Sequence, residues 1–324
     1  MRYTVLLAAV LATCAHAQFP TTGLGTPNST DKREMVAQAQ EYWRSITQSV
    51  LGNSRNLVVP TLSAHDRAIE GKIIYRVVAS GDFNAAAYVD GGRRYVRLRS
   101  TSAQAFGWIA EAEVMGAETN NEKCFLAYMM YFATNTIHNS NVFRGGSGSP
   151  KLTFAPLLAV QRGLLPECNA GFNVYKNIVH QQWPFISRQA EGALMLLWLH
   201  EVAHHVLGHV QDPNASLAIR RQRESAADEW AIQAMTNANQ FATVGRPFFY
   251  LISVFQGMSL AEEQASTHPL GARRARDIFA AIAPSVRANP KLMSFLQQEP
   301  GREAEYFKEL SAMQKQASSM IPTK

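Results

Sequence analysis

Leu194-Met195-Leu196-Leu197-Trp198-Leu199-His200-Glu201-Val202-Ala203-His204 is an apolar run that ends in two histidines four residues apart. On a helix such residues lie on one face, so His200 and His204 can present two imidazoles to one ion. Glu201 stands one step round that face, within reach of a water on the ion. This is the HExxH pattern of zinc hydrolases. Val202, Ala203, Val206 and Leu207 continue the apolar character on all sides, and a helix that is apolar all round is buried. Two histidines and a glutamate in that setting are costly unless they are paired or bind a metal. A surface helix with scattered histidines would not be embedded in this way.

A catalytic zinc takes three protein ligands and leaves one position for water. A metzincin would need a glycine at position 207 and a histidine at position 210, whereas the chain has Leu207 and Val210, with His209 one residue short. A gluzincin takes a glutamate from a second helix, with an aspartate one turn later. Glu224-Ser225-Ala226-Ala227-Asp228 offers that pair. Between the motifs, Gly208-His209 and Asp212-Pro213-Asn214 should end the first helix. Two antiparallel helices joined there would return Glu224 to the level of His200. The rival reading is a solvated carboxylate beside Arg220, Arg221 and Arg223. The small apolar face of Ala226, Ala227, Trp230, Ala231 and Ala234 favours the ligand role. Asp228 is then expected behind His200, orienting its ring.

Together with Ser266-Thr267-His268-Pro269 and Arg274, these motifs resemble metallopeptidase family forty-eight, the gluzincins that include CAAX prenyl proteases and proteases of envelope quality control. The resemblance implies a zincin-type gluzincin fold and one zinc per chain on His200, His204 and Glu224, with Glu201 as the base. It also points to His268 and Arg274 as candidate catalytic groups, since an oxyanion needs a donor. A weaker match is Asn84-Ala85-Ala86-Ala87-Tyr88 before Gly91-Gly92 and Tyr95-Val96-Arg97-Leu98. It resembles the family's substrate-binding edge strand, without its proline and with an extra residue. The resemblance covers roughly 30–100 and 190–290. It leaves 101–190 as an insertion longer than the family's usual connection.

Residues 1–17 have a basic start at Arg2, an apolar stretch from Val5 to Ala12 and Ala15-His16-Ala17 before Gln18, which reads as a signal peptide. A rival is a lipoprotein signal that would make Cys14 the first residue. Removal of the signal leaves Cys124 and Cys168, expected to pair in an oxidising compartment, the alternative being two buried thiols. The net charge of +6 is modest, and the arginines of 93–99 alternate with apolar residues as on a solvated strand face. No nucleic-acid motif accompanies them. No stretch has the roughly 18 apolar residues needed to span a bilayer.

The expected layout is a Thr/Gly/Pro-rich linker at 18–30 and a single metalloprotease domain over 31–324, mainly α with a small antiparallel β-sheet. Strands are expected at 72–79 and 94–99 around the Asp90-Gly91-Gly92 turn. Helices are expected at 31–50, 102–116, 122–137, 188–210, 215–238, 246–260, 270–284 and 302–318. The function this implies is a zinc endopeptidase, periplasmic or secreted, acting on unfolded or misassembled proteins. Two alternatives stand beside it: a chaperone-like binding module with a zinc site, and a hydrolase specialised for one envelope substrate.

Overall fold

The computed structural model describes residues 32–79, 85–143, 147–148, 151–212, 214–255 and 259–322. The expected signal peptide and its cleavage site, Cys14, the 18–30 linker, Asn84 and Pro213 lie outside the described residues. In chain order the elements begin with α1 (Lys32–Val58), α2 (Ala64–Glu70), β1 (Ile73–Val78), β2 (Ala85–Asp90) and β3 (Arg93–Arg99). Next come α3 (Ser100–Glu118), α4 (Glu122–Phe143), α5 (Pro156–Gln161), α6 (Phe172–Gln181) and α7 (Trp183–Val206). The last are α8 (Leu217–Asn237), α9 (Arg246–Phe255), α10 (Leu260–Ala265), α11 (Gly271–Arg287), α12 (Pro290–Leu296) and α13 (Arg302–Ser319). The described residues are mostly helical, with one small three-stranded sheet among them.

The sheet has the order β1-β3-β2. β2 and β3 pair antiparallel, from Ala85 opposite Leu98 to Asp90 opposite Arg93. The turn between them puts Gly91 at φ 54° and Gly92 at φ 76°, the left-handed pair that a tight hairpin needs and that glycine supplies without strain. Two expectations are corrected here. The hairpin partner of β3 is β2, not the strand at 72–79, and the sheet is mixed rather than antiparallel throughout. After β1 the chain makes β2 before it turns back, so the returning β3 inserts between them and runs parallel to β1.

Two compact units make up the chain. The described residues of the first are 32–49, 77–79 and 99–191. Within it α3 packs on α4, α5 and α6. Small residues let it do so on several sides: Ala103, Ala105, Ala110 and Ala112 are buried with Phe106, Ile109, Val114 and Met115. The stretch expected as an insertion, 101–190, forms the larger part of this unit. Cys124 and Cys168 are disulfide-bonded across a sequence separation of 44 residues. In the chain-entropy account, closing such a loop removes about 4 kcal/mol of freedom from the unfolded chain.

The same unit buries Glu111, whose carboxylate accepts the Leu157 N–H at 2.8 Å. Burial pushes its carboxyl up from 4.5 to about 7, the Leu157 bond only partly opposing the rise. With the folded pKa above the unfolded one, its contribution is fully present below about pH 4.5 and is lost as pH rises through about 7. Glu111→Gln keeps an oxygen for Leu157 and removes the charge. It is expected to raise stability over wild type at pH 8, by up to about 3 kcal/mol, with the advantage gone near pH 4. Thermal melts at both values check this, and a pH-independent difference would show that the burial of charge is not the cause.

The described residues of the second unit are 50–76, 85–98 and 192–322. α11 packs on α8, α9 and α13. α7 meets the 3-10 turn Ala242–Gly245 through glycines: a Cβ on Gly192 would fall 2.5 Å from a Val244 methyl, and one on Gly245 2.2 Å from a Leu196 methyl. Above this contact α7 carries Leu194, Leu196, Trp198, Leu199, Val202 and Ala203, all buried. It therefore presents its last turns to the sheet and to α8 as a fixed platform.

Candidate metal centre and active site

α7 is stopped by Gly208, whose φ of 73° only glycine adopts freely. The chain then turns back, and Ser216 caps α8 by accepting the Ile219 N–H. This places Glu224, one and a half to two turns into α8, opposite the end of α7. His200 Nε2 and His204 Nε2 are 3.2 Å apart. Glu224 Oε2 is 3.3 Å from His200 Nε2, and Glu224 Oε1 is 3.4 Å from His204 Nε2. The three residues form a cluster whose candidate ligand atoms all lie within 4.8 Å of one another.

Ligands about 2.0–2.1 Å from a zinc ion at tetrahedral angles are separated by about 3.3–3.4 Å. The two imidazole nitrogens stand about one such edge apart, and each lies at a similar distance from a different oxygen of the Glu224 carboxylate. The donor set, two imidazoles and a carboxylate, is that of a hydrolytic zinc site. Glu224 Oε2 is also buried without a hydrogen bond of good geometry, an orphaned acceptor aimed at the converging nitrogens. On geometry and chemistry the residues fit a zinc ion.

Behind the cluster lies a buried ionic layer. His200 Nδ1 is 2.8 Å from Asp228 Oδ1. Arg274, from the first turn of α11, grips Asp228 with both prongs, Nε to Oδ2 at 2.6 Å and Nη2 to Oδ1 at 2.7 Å. Its other nitrogen approaches Glu224 Oε2 to 3.7 Å. Burial and the Arg274 charge work against a charged His200, yet Asp228 and Glu224 outweigh them and raise it to about 10. His204 is lowered to about 3 by burial and by the charge on His200. Burial opposes charge on Glu224 and Asp228, but the facing cations hold both carboxyls below the usual range.

Glu201 is buried beside His200. Burial pushes its carboxyl up to about 7, the Glu224 charge adding to the rise. The Ala87 N–H of β2 donates to it. The main chain of Ala87 therefore faces the cluster, and strand alternation turns Ala85 the same way while Ala86 and Tyr88 turn toward β3. Among the described residues β2 pairs on one side alone. Tyr88 stacks on Tyr95 across the hairpin, ring centroids 5.2 Å apart.

His268 lies at the open side of the cluster. Its Nε2 is 3.5 Å from Glu224 Oε2 and its side chain is 43% exposed, against 3% for Arg274. Its Nδ1 is 3.2 Å from Thr267 Oγ1. Burial and the charge on Arg274 depress its pKa against the pull of Glu224.

Four residues to which the sequence assigns no role at the site also serve this region: His205, Arg94, His209 and Arg223. His205 is buried, and its Nε2 donates to the Tyr95 carbonyl at 2.9 Å. Arg94 Nη1 donates to the His205 carbonyl at 3.1 Å, so β3 is tied to the helix that carries the histidines. His209 Nδ1 is 3.0 Å from His204 Nδ1, and Arg223 holds the loop between the helices. The available signal was His205 inside an otherwise apolar stretch, and a histidine directly after the helix-ending Gly208.

Residues 173–293 match the sequence model of Peptidase U49. The match takes in α7 through α11, and so His200, Glu201, His204, His209, Glu224, Asp228, His268 and Arg274, but not the sheet. No curated protein and no solved structure matches the chain. The cluster thus lies wholly within the stretch that is similar to a peptidase family, which associates it with the hydrolysis of peptide bonds.

Proposed function

We propose that the chain is a zinc-dependent endopeptidase of gluzincin type, related to metallopeptidase family forty-eight, that acts on unfolded or misassembled proteins in the cell envelope. The observation that carries this reading is the convergence of His200 Nε2, His204 Nε2 and the Glu224 carboxylate, with separations of 3.2, 3.3 and 3.4 Å, beside a buried Glu201 whose carboxyl is pushed up to about 7. The HExxH, Glu224-x-x-x-Asp228 and Thr267-His268-Pro269 motifs support the family, and the signal-like residues 1–17 support export. Zinc, when bound, supplies a Lewis acid and makes a neighbouring water acidic near neutral pH.

The protein groups divide the remaining work. Glu201 takes a proton from the attacking water on its carboxylate and later delivers it to the leaving amine. Asp228 keeps His200 in one orientation, and Arg274 keeps Asp228 charged and in place. Arg274 is committed to Asp228 and buried, so we assign the oxyanion donor to His268, whose ring is the more exposed. The outward main-chain groups of β2 other than the Ala87 N–H, which Glu201 takes, pair with an extended substrate backbone irrespective of its side chains, which suits substrates that share no sequence.

The purified full chain is expected to hold about one zinc per molecule and to cleave casein. Chelation should stop cleavage and zinc should restore it. Casein cleavage that persists in metal-free protein would overturn the zinc reading. A zinc-bound chain that cleaves no unfolded protein would favour the chaperone-like module or a hydrolase with a single substrate.

A further inference from the structure

We infer that His209 is a positioning residue for the metal centre, its ring fixing the orientation of His204 as Asp228 fixes that of His200, with Arg223 clamping His209 from the helix that carries Glu224. The inference deepens the zinc reading and rests on it.

The need for such a partner follows from the ring of His204. Its Nε2 looks at His200 Nε2 across 3.2 Å and at Glu224 Oε1 across 3.4 Å. For that nitrogen to offer a lone pair to an ion, the ring proton must sit on Nδ1 and find an acceptor. The atom facing Nδ1 is His209 Nδ1, 3.0 Å away. Its lone pair is available when His209 carries its own proton on Nε2. His200 already has Asp228 in the corresponding place.

The chain is built to bring His209 there. On an uninterrupted helix, position 209 would lie about 140° round the axis from position 204 and more than a turn further on. The left-handed Gly208, at φ 73°, ends the helix and folds the next residue back beside His204. His209 then starts the short 3-10 turn His209–Gln211, which packs against β2. Arg223 fixes this turn from α8. Its Nη1 donates to the His209 carbonyl at 3.3 Å and to the Asp212 carbonyl at 2.9 Å, while Nη2 pairs with the Asp212 carboxylate at 2.9 Å. Arg223 precedes Glu224 in sequence, so one turn of α8 supplies a candidate ligand and also anchors the partner of another. One short segment thus touches His204, α8 and the candidate substrate strand.

The test is zinc affinity of the full chain, read by competition with a chelator, for wild type, His209→Leu and His209→Asn. The asparagine amide places an oxygen about where the imidazole Nδ1 lies; leucine fills the space without an acceptor. His209→Leu is expected to bind zinc about 10- to 100-fold more weakly and His209→Asn to stay within about threefold of wild type. The metal-free chains should melt alike. A leucine variant with wild-type affinity overturns the inference, and so does an asparagine variant as weak as the leucine one. A wild-type chain that takes up no zinc overturns the metal reading itself, which separates the two failures. Where the leucine variant does not fold, nitrogen NMR of zinc-loaded wild type serves instead. His204 protonated at Nδ1 and His209 at Nε2 is the expected result, and His209 protonated at Nδ1 overturns it.

Discussion

Glu201→Gln is expected to lower peptide-bond cleavage by about a hundred- to ten-thousand-fold, the loss that follows removal of a general base. Zinc should remain at about one per chain. The side chain is buried and hydrogen-bonded to the Ala87 amide. Glutamine keeps an acceptor for that amide and almost the same volume, so the cavity and the strand beside it are preserved. What changes is the ability to hold a proton between water and leaving amine. The effect should therefore fall on kcat and leave KM for an unfolded protein substrate nearly unchanged. Measured turnover equal to wild type would move the base elsewhere. Loss of zinc together with activity would show that Glu201 supports the site rather than the reaction.

The parts of this site that were legible in the sequence are those set by local spacing. His200 and His204 share a helix face because four residues make about one turn, and Glu224 with Asp228 repeats that spacing on α8. Their meeting needed one further element, the helix stop at Gly208, and glycine with the Asp212-Pro213-Asn214 stretch announced it. Arg274 became visible through the resemblance to a family, because nothing local ties position 274 to position 228. Its bidentate grip on Asp228 is a tertiary fact.

By spacing alone His209 reads only as a ligand one residue out of register. Its place beside His204 depends on a reversal of the chain that periodicity cannot express. The sheet shows the same limit. Gly91-Gly92 marked the turn, but Ala85-Ala86-Ala87 has low intrinsic strand preference and forms β2 through its pairing with β3. By spacing alone the strand at 72–79 reads as the hairpin partner, and it is the family resemblance that marks 84–88 as an edge strand. Among the short helices outside the expected layout, α12 is capped by Asn289, which accepts the Lys291 and Leu292 N–H groups. α5 has six residues and no side-chain cap, and packing within the first unit holds it in place.

Arg274→Met is expected to cost the fold more than any substitution at the cluster itself. The guanidinium is 3% exposed and gives two short hydrogen bonds to an equally buried Asp228. Methionine keeps the apolar stem and removes the charged fork, so Asp228 keeps a buried negative charge with His200 as its remaining close partner. Removing one member of a buried pair costs about 3–5 kcal/mol, enough to lower the melting temperature by on the order of 10 °C in a domain of this size. Zinc affinity should fall as well, because an Asp228 that shifts or takes up a proton no longer orients His200.

Lysine at 274 keeps the charge but not the fork, so Arg274→Lys should recover only part of the loss. The double variant Arg274→Met with Asp228→Leu should lose less stability than the sum of the two single changes, since charge and partner leave together. Asp228→Leu leaves zinc without that support in either background, so affinity should stay low in the double variant even where stability returns. An Arg274→Met chain that melts and binds zinc like wild type but has lost activity would place the guanidinium on the substrate instead. That outcome would contradict a side chain buried behind His200 and spent on Asp228.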